Sequence, residues 1–157
     1  MSKNLGQIRL QAKEIYNKIG VIHCPYFIEQ ISFTSEGFNH IRYKKARSER
    51  HPKVQEIRYR LIKFAPEIIR NSKTLQEHDI QKLFIEVEHN NRKEKVLKDV
   101  QYFGFIAIID GWKVKVIVRQ IGNGKKHFWS VIPNWKTRKS IDGKKSYENY
   151  TGALELD

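Results

Sequence analysis

The chain has 157 residues, the size of one ordinary domain that can bury a core without staples. Thirty Lys and Arg stand against 17 Asp and Glu, a formal charge of +13 at pH 7, in a chain that is still 39% hydrophobic and 11% aromatic. That balance excludes disorder by composition and makes a polyanion the expected partner. The single cysteine, Cys24, excludes an internal disulfide and reads as a small core residue. No apolar run is long enough for a signal peptide or a membrane span, so a soluble, cytoplasmic protein is expected.

One domain over 1–157 is expected, helical in its first part and stranded in its second. Leu5, Ile8, Ala12, Ile15, Tyr16 and Ile19 follow helical spacing and Gly20 can end that helix, placed over 3–19. A short extended stretch, YFIEQISF, leads to Thr34-Ser35, which can cap a helix SEGFNHIRYKKA with Phe38 and Ile41 inward. His51-Pro52 breaks the chain, because the residue before proline is steered away from helical angles. The next helix, from about Lys53 to Phe64, turns Val54, Ile57 and Leu61 inward and Lys53, Arg58, Arg60 and Lys63 outward. Pro66 restarts a short turn, PEIIRN.

Strands are expected near Lys82 to Glu88 and over Val96 to Asp99, followed by two tight hairpins at Asp110-Gly111 and Asn123-Gly124. Both dipeptides suit the two-residue turn that matches strand twist. The expected fold is therefore α+β, with N-terminal helices packed on one face of an antiparallel meander of about four strands.

Two-residue turns fix register. Around Asp110-Gly111, Ala107 faces Val114, Phe105 faces Val116 and Phe103 faces Val118; around Asn123-Gly124, Val118 faces Trp129 and Val116 faces Val131. That apolar side is where helices should pack. The other side holds Tyr102, Lys113, Lys115, Ile117, Arg119, Phe128, Ser130 and Ile132, cations among aromatic rings. From Gly111 to Lys145 there are ten Lys or Arg and one acid, Asp142, whereas a merely solvated face would mix both signs. Cations can hold phosphates while rings stack on bases, so Tyr102, Lys113, Lys115, Lys125, Lys126, Phe128 and Trp129 are candidate nucleic-acid contacts.

A second basic stretch between His40 and Arg60 holds Arg42, Lys44, Lys45, Arg47, Arg50, Lys53, Arg58 and Arg60 against Glu49 and Glu56, and His40 and His51 bracket its loop. Of these, Arg42, Lys44 and Lys45 join the candidate contacts, and either histidine could move a proton near neutral pH. No phosphate-binding glycine loop, zinc-protease or serine-hydrolase motif occurs, and no paired acids suggest two metals. No cofactor or metal is expected.

The order of helices before a meander, with FTSEGFNHI, then HP, then PEII, then VRQIGNGKKHFWSVIPNW, resembles the barnase, EndoU, colicin and RelE-like group of metal-independent ribonucleases. Many of these are bacterial or phage toxins. The resemblance covers 26–135, leaving the first helix and a basic tail over 137–157 as additions. It implies endonucleolytic RNA cleavage by 2′-OH transesterification on the sheet face opposite the helices, with a histidine, an Arg or Lys and a Ser or Thr. Those map to His40, or His51 in its place, to Arg119 and to Ser130. The sequence offers no evident glutamate base of the barnase kind. An acidic antitoxin or immunity protein is the implied partner besides RNA, and a non-catalytic RNA- or DNA-binding module is the alternative.

Overall fold

The computed structural model describes residues 4–134 and 153–157; apart from 153–157, the basic tail expected over 137–157 lies outside the described residues. Helix α1, Leu5–Asn17, begins at a reciprocal cap in which Asn4 accepts from the Gln7 amide and the Gln7 side chain accepts from that of Asn4. It buries Ile8, Ala12 and Tyr16, while Ile15 stays exposed. Gly20, at φ 68°, turns the chain into β1, Val21–Cys24, which pairs antiparallel with β2, Glu29–Ser32. Strands this short leave little periodicity to read.

Helix α2 runs over Ser35–Arg42 and stops earlier than its sequence suggests, because the chain folds back as a small hairpin of β3, Tyr43–Lys45, and β4, Ser48–Glu49. His51 caps α3, Pro52–Leu61, by accepting from the Lys53 amide at 3.1 Å. A 3-10 turn, Ile62–Phe64, leads directly into α4, Ala65–Asn71, a helix where only a turn was expected. Pro66 sits in its first turn, where a missing N–H costs nothing.

The second part is the expected meander of four strands: β5, Glu77–His89; β6, Arg92–Ile109; β7, Trp112–Ile121; and β8, His127–Pro133. The fold is α+β, but the sheet has six strands rather than about four. Its order is β1-β2-β8-β7-β6-β5, because the β1–β2 hairpin joins β8 through one parallel pairing, Ser32 with His127.

Asp110 and Gly111, at φ 48° and 78°, make the expected turn, and Phe105 pairs with Val116 and Ala107 with Val114 as the register requires. Asn90 and Asn91, at φ 51° and 62°, make the same kind of turn between β5 and β6. Around these turns α1, α2 and α4 pack on the face of Phe103, Phe105, Val114, Val116 and Val118.

The Asn123-Gly124 turn differs from the expectation. The loop spans Gly122 to Lys126, with Gly122 at φ 53°, and β8 carries a bulge. Ile117 pairs with Ser130 but Val118 pairs with Phe128, so Trp129 is the extra residue. Phe128, expected on the open face, is therefore fully buried in the core, stacked on Phe33 at 5.0 Å and edge-on to Tyr16. Trp129, expected opposite Val118 on the core side, turns to the other face, and His127 goes with it to pair with Arg119.

Candidate functional site

The sheet face away from the main core carries Tyr102, Ile117, Arg119, Trp129 and Ser130, with Leu154 packed over it. A helix residue reaches this face because α2 crosses β8 in close contact. At Gly37 a Cβ would overlap the Phe128 carbonyl oxygen and lie 2.8 Å from its Cδ1, so only glycine allows the approach. One side of α2 then gives Phe38 and Ile41 to the core, and His40 lands on the Trp129 indole with ring centroids 3.9 Å apart and 18° between planes.

Arg119 meets the same indole, its guanidinium carbon 3.7 Å from the ring centroid. Its Nε donates to His127 Nε2 at 2.7 Å and its Nη2 to the Glu36 carboxylate. Glu36 and His40 are four apart on α2 and so share a helix face. Trp129 Nε1 donates to the main-chain oxygen of Glu155 at 3.0 Å.

Behind His40 lies a buried cationic cluster. Arg50 Nη2 donates to His40 Nε2 at 3.0 Å, and because a guanidinium can only donate, that nitrogen carries the lone pair. Arg58 is fully buried, against the expectation that it points outward; α3 is covered on two sides, by the core and by β8 with residues 156–157. Arg58 Nη1 donates to Ser130 Oγ at 3.1 Å and to the main-chain oxygen of Asp157. Ser130 Oγ donates to that oxygen at 2.6 Å, and Arg50 Nη2 reaches it at 3.3 Å.

Burial, then the charges of Arg50, Arg58 and Arg119, holds His40 far below the usual imidazole range, at about 2. His127 is brought down to about 4 by burial and by Arg119. Both rings are neutral at physiological pH. Burial lowers Arg50 to about 10 and raises Tyr102 to about 12.

In front of the indole opens a cavity of about 780 Å³ with His40, Tyr102, Arg119 and Trp129 in its wall. Arg9, Lys13, Arg42, Lys44 and Lys45 add positive charge to its lining, against Glu36 and Glu155. Seven of the residues singled out in the sequence thus meet there: His40, Arg42, Lys44, Lys45, Tyr102, Arg119 and Trp129. Ser130 lies behind them, against Arg58.

The others go elsewhere. His51 is exposed at the α3 cap and does not line the cavity. Lys115 is buried and paired with Glu77 at 3.0 Å; Lys126 is buried, paired with Glu29 at 3.0 Å and set over the Phe27 ring. Lys113 and Lys125 are exposed outside the cavity. Sequence reasoning missed Glu36, Arg50, Arg58 and the residues at 153–157. Only the Glu36–His40 spacing offered a signal.

Among the described residues no group of three or more His, Cys, Asp or Glu is placed to hold a metal, and no helix is long and apolar enough to cross a membrane. No protein-family model, no curated protein and no solved structure matches the chain.

Proposed function

We propose that the chain is a metal-independent endoribonuclease, of the toxin type that its sequence resembles, acting in the cavity in front of Trp129. The observation that carries this reading is the convergence of His40 and Arg119 on one indole, with Glu36 bonded to Arg119, inside a strongly cationic wall. A single-stranded RNA enters along the basic mouth, with its phosphate drawn to Arg119 and a base against the aromatic rings.

In this mechanism the ribose 2′-OH attacks the adjacent phosphorus and the 5′ oxygen leaves. Glu36, whose carboxylate is two-thirds exposed, accepts the 2′ proton. As RNA binds, its phosphate offsets the arginine charges around His40, whose Nε2 lies at a guanidinium; the ring then takes up a proton from solvent and gives it to the leaving 5′ oxygen, while the 2′ proton passes from Glu36 to solvent. Arg119 balances the charge that builds on the phosphorane, an effect of about 3–4 kcal/mol for one well-placed donor. The products are a 2′,3′-cyclic phosphate and a 5′-hydroxyl. An acidic antitoxin or immunity protein would close the same cationic mouth.

A second reading, a binding module without catalysis, draws on the strongly depressed His40, a ring that burial and three arginine neighbours keep neutral, with no extra proton to give. Incubation with RNA in EDTA separates the two. Cyclic phosphate ends that vanish in Arg119→Ala support cleavage; intact RNA with salt-sensitive binding supports the module.

A further inference from the structure

Strand β5 is the outer edge of the sheet: among the described residues it pairs with β6 alone. It is 13 residues long, against about 5–6 for an ordinary strand, and no proline or register shift interrupts it. Proteins usually blunt an edge of that length, because its free N–H and C=O groups recruit another strand. β5 and β6 also outrun the sheet. Beyond Asp99, whose oxygen takes the Gly122 amide, they continue for seven pairs, from Leu83 with Lys98 to His89 with Arg92, as a two-stranded arm. One face of the arm leans on Val100 and Tyr102 through Leu83 and Ile85. On the other, Phe84 is 69% exposed and its cross-strand partner Leu97 52%. A ribbon of two strands is marginal until a third joins it.

The two-residue turn at Asn90-Asn91 makes His89 and Arg92 a hydrogen-bonded pair, so by alternation the amides of Lys82, Phe84 and Glu86 face away from β6. Ile80, in the same phase, donates its N–H to the Asp79 carboxylate at 2.9 Å. A second copy related by a two-fold axis normal to the sheet runs antiparallel along this edge and keeps each face on its own side, so register moves only in steps of two. With Phe84 on the axis, it meets the partner's Phe84, and Leu97 on each side extends the row over four strands. Lys82 meets the partner's Glu86. Because Lys82 pairs with Asp99 and Glu86 with Lys95 inside each copy, that row alternates in sign across all four strands. Glu86 already lies 3.7 Å from Lys93, an exposed and weak pairing. On the opposite face Leu83 meets the partner's Ile85. Sliding by two residues either way sets Phe84 against Lys82 or against Glu86, and these matches are lost.

We propose that the chain pairs with a second copy of itself through β5 in this register, joining the two six-stranded sheets into one. Leu83 lines the cavity in front of Trp129, so the partner's Ile85 lies beside its wall, and both cavities lie on one side of the joined sheet. The pairing does not rest on the ribonuclease reading.

The test uses the full-length chain. In sedimentation velocity over a dilution series, the wild type passes from dimer to monomer. Lys82→Glu sets acid against acid and Glu86→Lys sets base against base, and each weakens the dimer about tenfold or more. An equimolar mixture of the two variants associates again, because opposite charges then face one another across the axis; variants that merely disturb the arm show no such rescue. In the wild-type chain the Lys82, Phe84 and Glu86 amides become protected from hydrogen exchange as concentration rises, whereas Leu83 and Ile85, bonded to β6, are protected throughout. A chain that stays monomeric while the outward amides are protected at every concentration has its edge covered by another part of itself, and overturns the proposal. So does a dimer that Lys82→Glu leaves as tight as the wild type, or a mixture of the two variants that does not associate. If the variants do not fold, the concentration dependence of wild-type exchange decides the matter, and its absence overturns the pairing.

Discussion

The His40 ring lies flat on the Trp129 indole, 3.9 Å between centroids, although one residue belongs to α2 and the other to β8. The contact exists because the bulge between Ser130 and Phe128 gives β8 one residue more than β7 needs. Two neighbours thereby take opposite roles. Phe128→Ala should lower stability by about 3–5 kcal/mol in urea unfolding, the usual range for a buried aromatic. Trp129→Ala should cost less stability and instead weaken RNA binding by about 1–3 kcal/mol, the worth of one stacking ring. Equal losses of stability would count against the bulged register.

Gly37 sets how closely α2 approaches β8. In Gly37→Ala the added methyl meets the Phe128 backbone, which cannot rotate away, and also lies 3.0 Å from the Tyr16 hydroxyl. A loss of about 1–3 kcal/mol is expected, as for other overpacked sites. Cleavage should fall further than the fraction unfolded explains, because His40 moves with the helix. Thermal melts beside activity measured well below the melting temperature would check both parts.

Stability should fall in mild acid. His40 and His127 are held at about 2 and about 4 in the fold, against 6.5 in the unfolded chain. Below pH 6.5 the unfolded chain takes up protons that the folded one refuses. The stabilisation is therefore complete above that pH and is lost as pH falls toward 4, at up to about 1.4 kcal/mol per pH unit for each ring. Melting temperatures at pH 7.5 and pH 5 test this, and replacing His127 with Asn should flatten the slope. An unchanged melting temperature would contradict the burial of both rings.

Arg119 makes a directional set of contacts that lysine cannot copy: Glu36, His127 and the indole face. Arg119→Lys should keep the net charge and most RNA affinity yet lose about 10²–10³ in cleavage rate, as when one preorganised donor is removed. Single-turnover rates at saturating protein would separate the two effects.

On the β3–β4 hairpin, Lys44 and Lys45 should act differently, through phosphate charge alone. Replacing either with Ala should reduce the slope of log affinity against log salt by about 0.7. Slopes equal to the wild type would remove the hairpin from the interface.

The Asp110-Gly111 hairpin was readable from the sequence because both turn residues need positive φ and its two strands alternate cleanly. The second hairpin misled because Gly122, two residues after Arg119-Gln120, opens the turn earlier than Asn123-Gly124 suggests. Between the wider loop and the bulge the residues from His127 to Trp129 are displaced by one position while Ser130 and Val131 keep their expected partners, and nothing local in HFWSV announces it. Arg58 was misplaced for another reason. Periodicity assumes that a helix has one dry side, and α3 has two, the second lined with hydrogen-bond acceptors instead of methyl groups. The acceptors at 156–157 are about a hundred residues away, beyond any window that reads a helix face.

The distance along the chain between partners in this site has a kinetic consequence. Arg58 meets Ser130 across 72 positions and Asp157 across 99, and Arg50 meets Leu156 across 106. The hairpins from β5 to β7 close short loops and can form early, whereas each of these contacts must wait for a large loop to close. Refolding should restore the sheet before the site. In pulsed hydrogen exchange, protection at β6 and β7 amides should precede that of Leu156 and Asp157, and a nascent or newly refolded molecule would pass through an interval in which its fold is built while its chemistry is still unassembled.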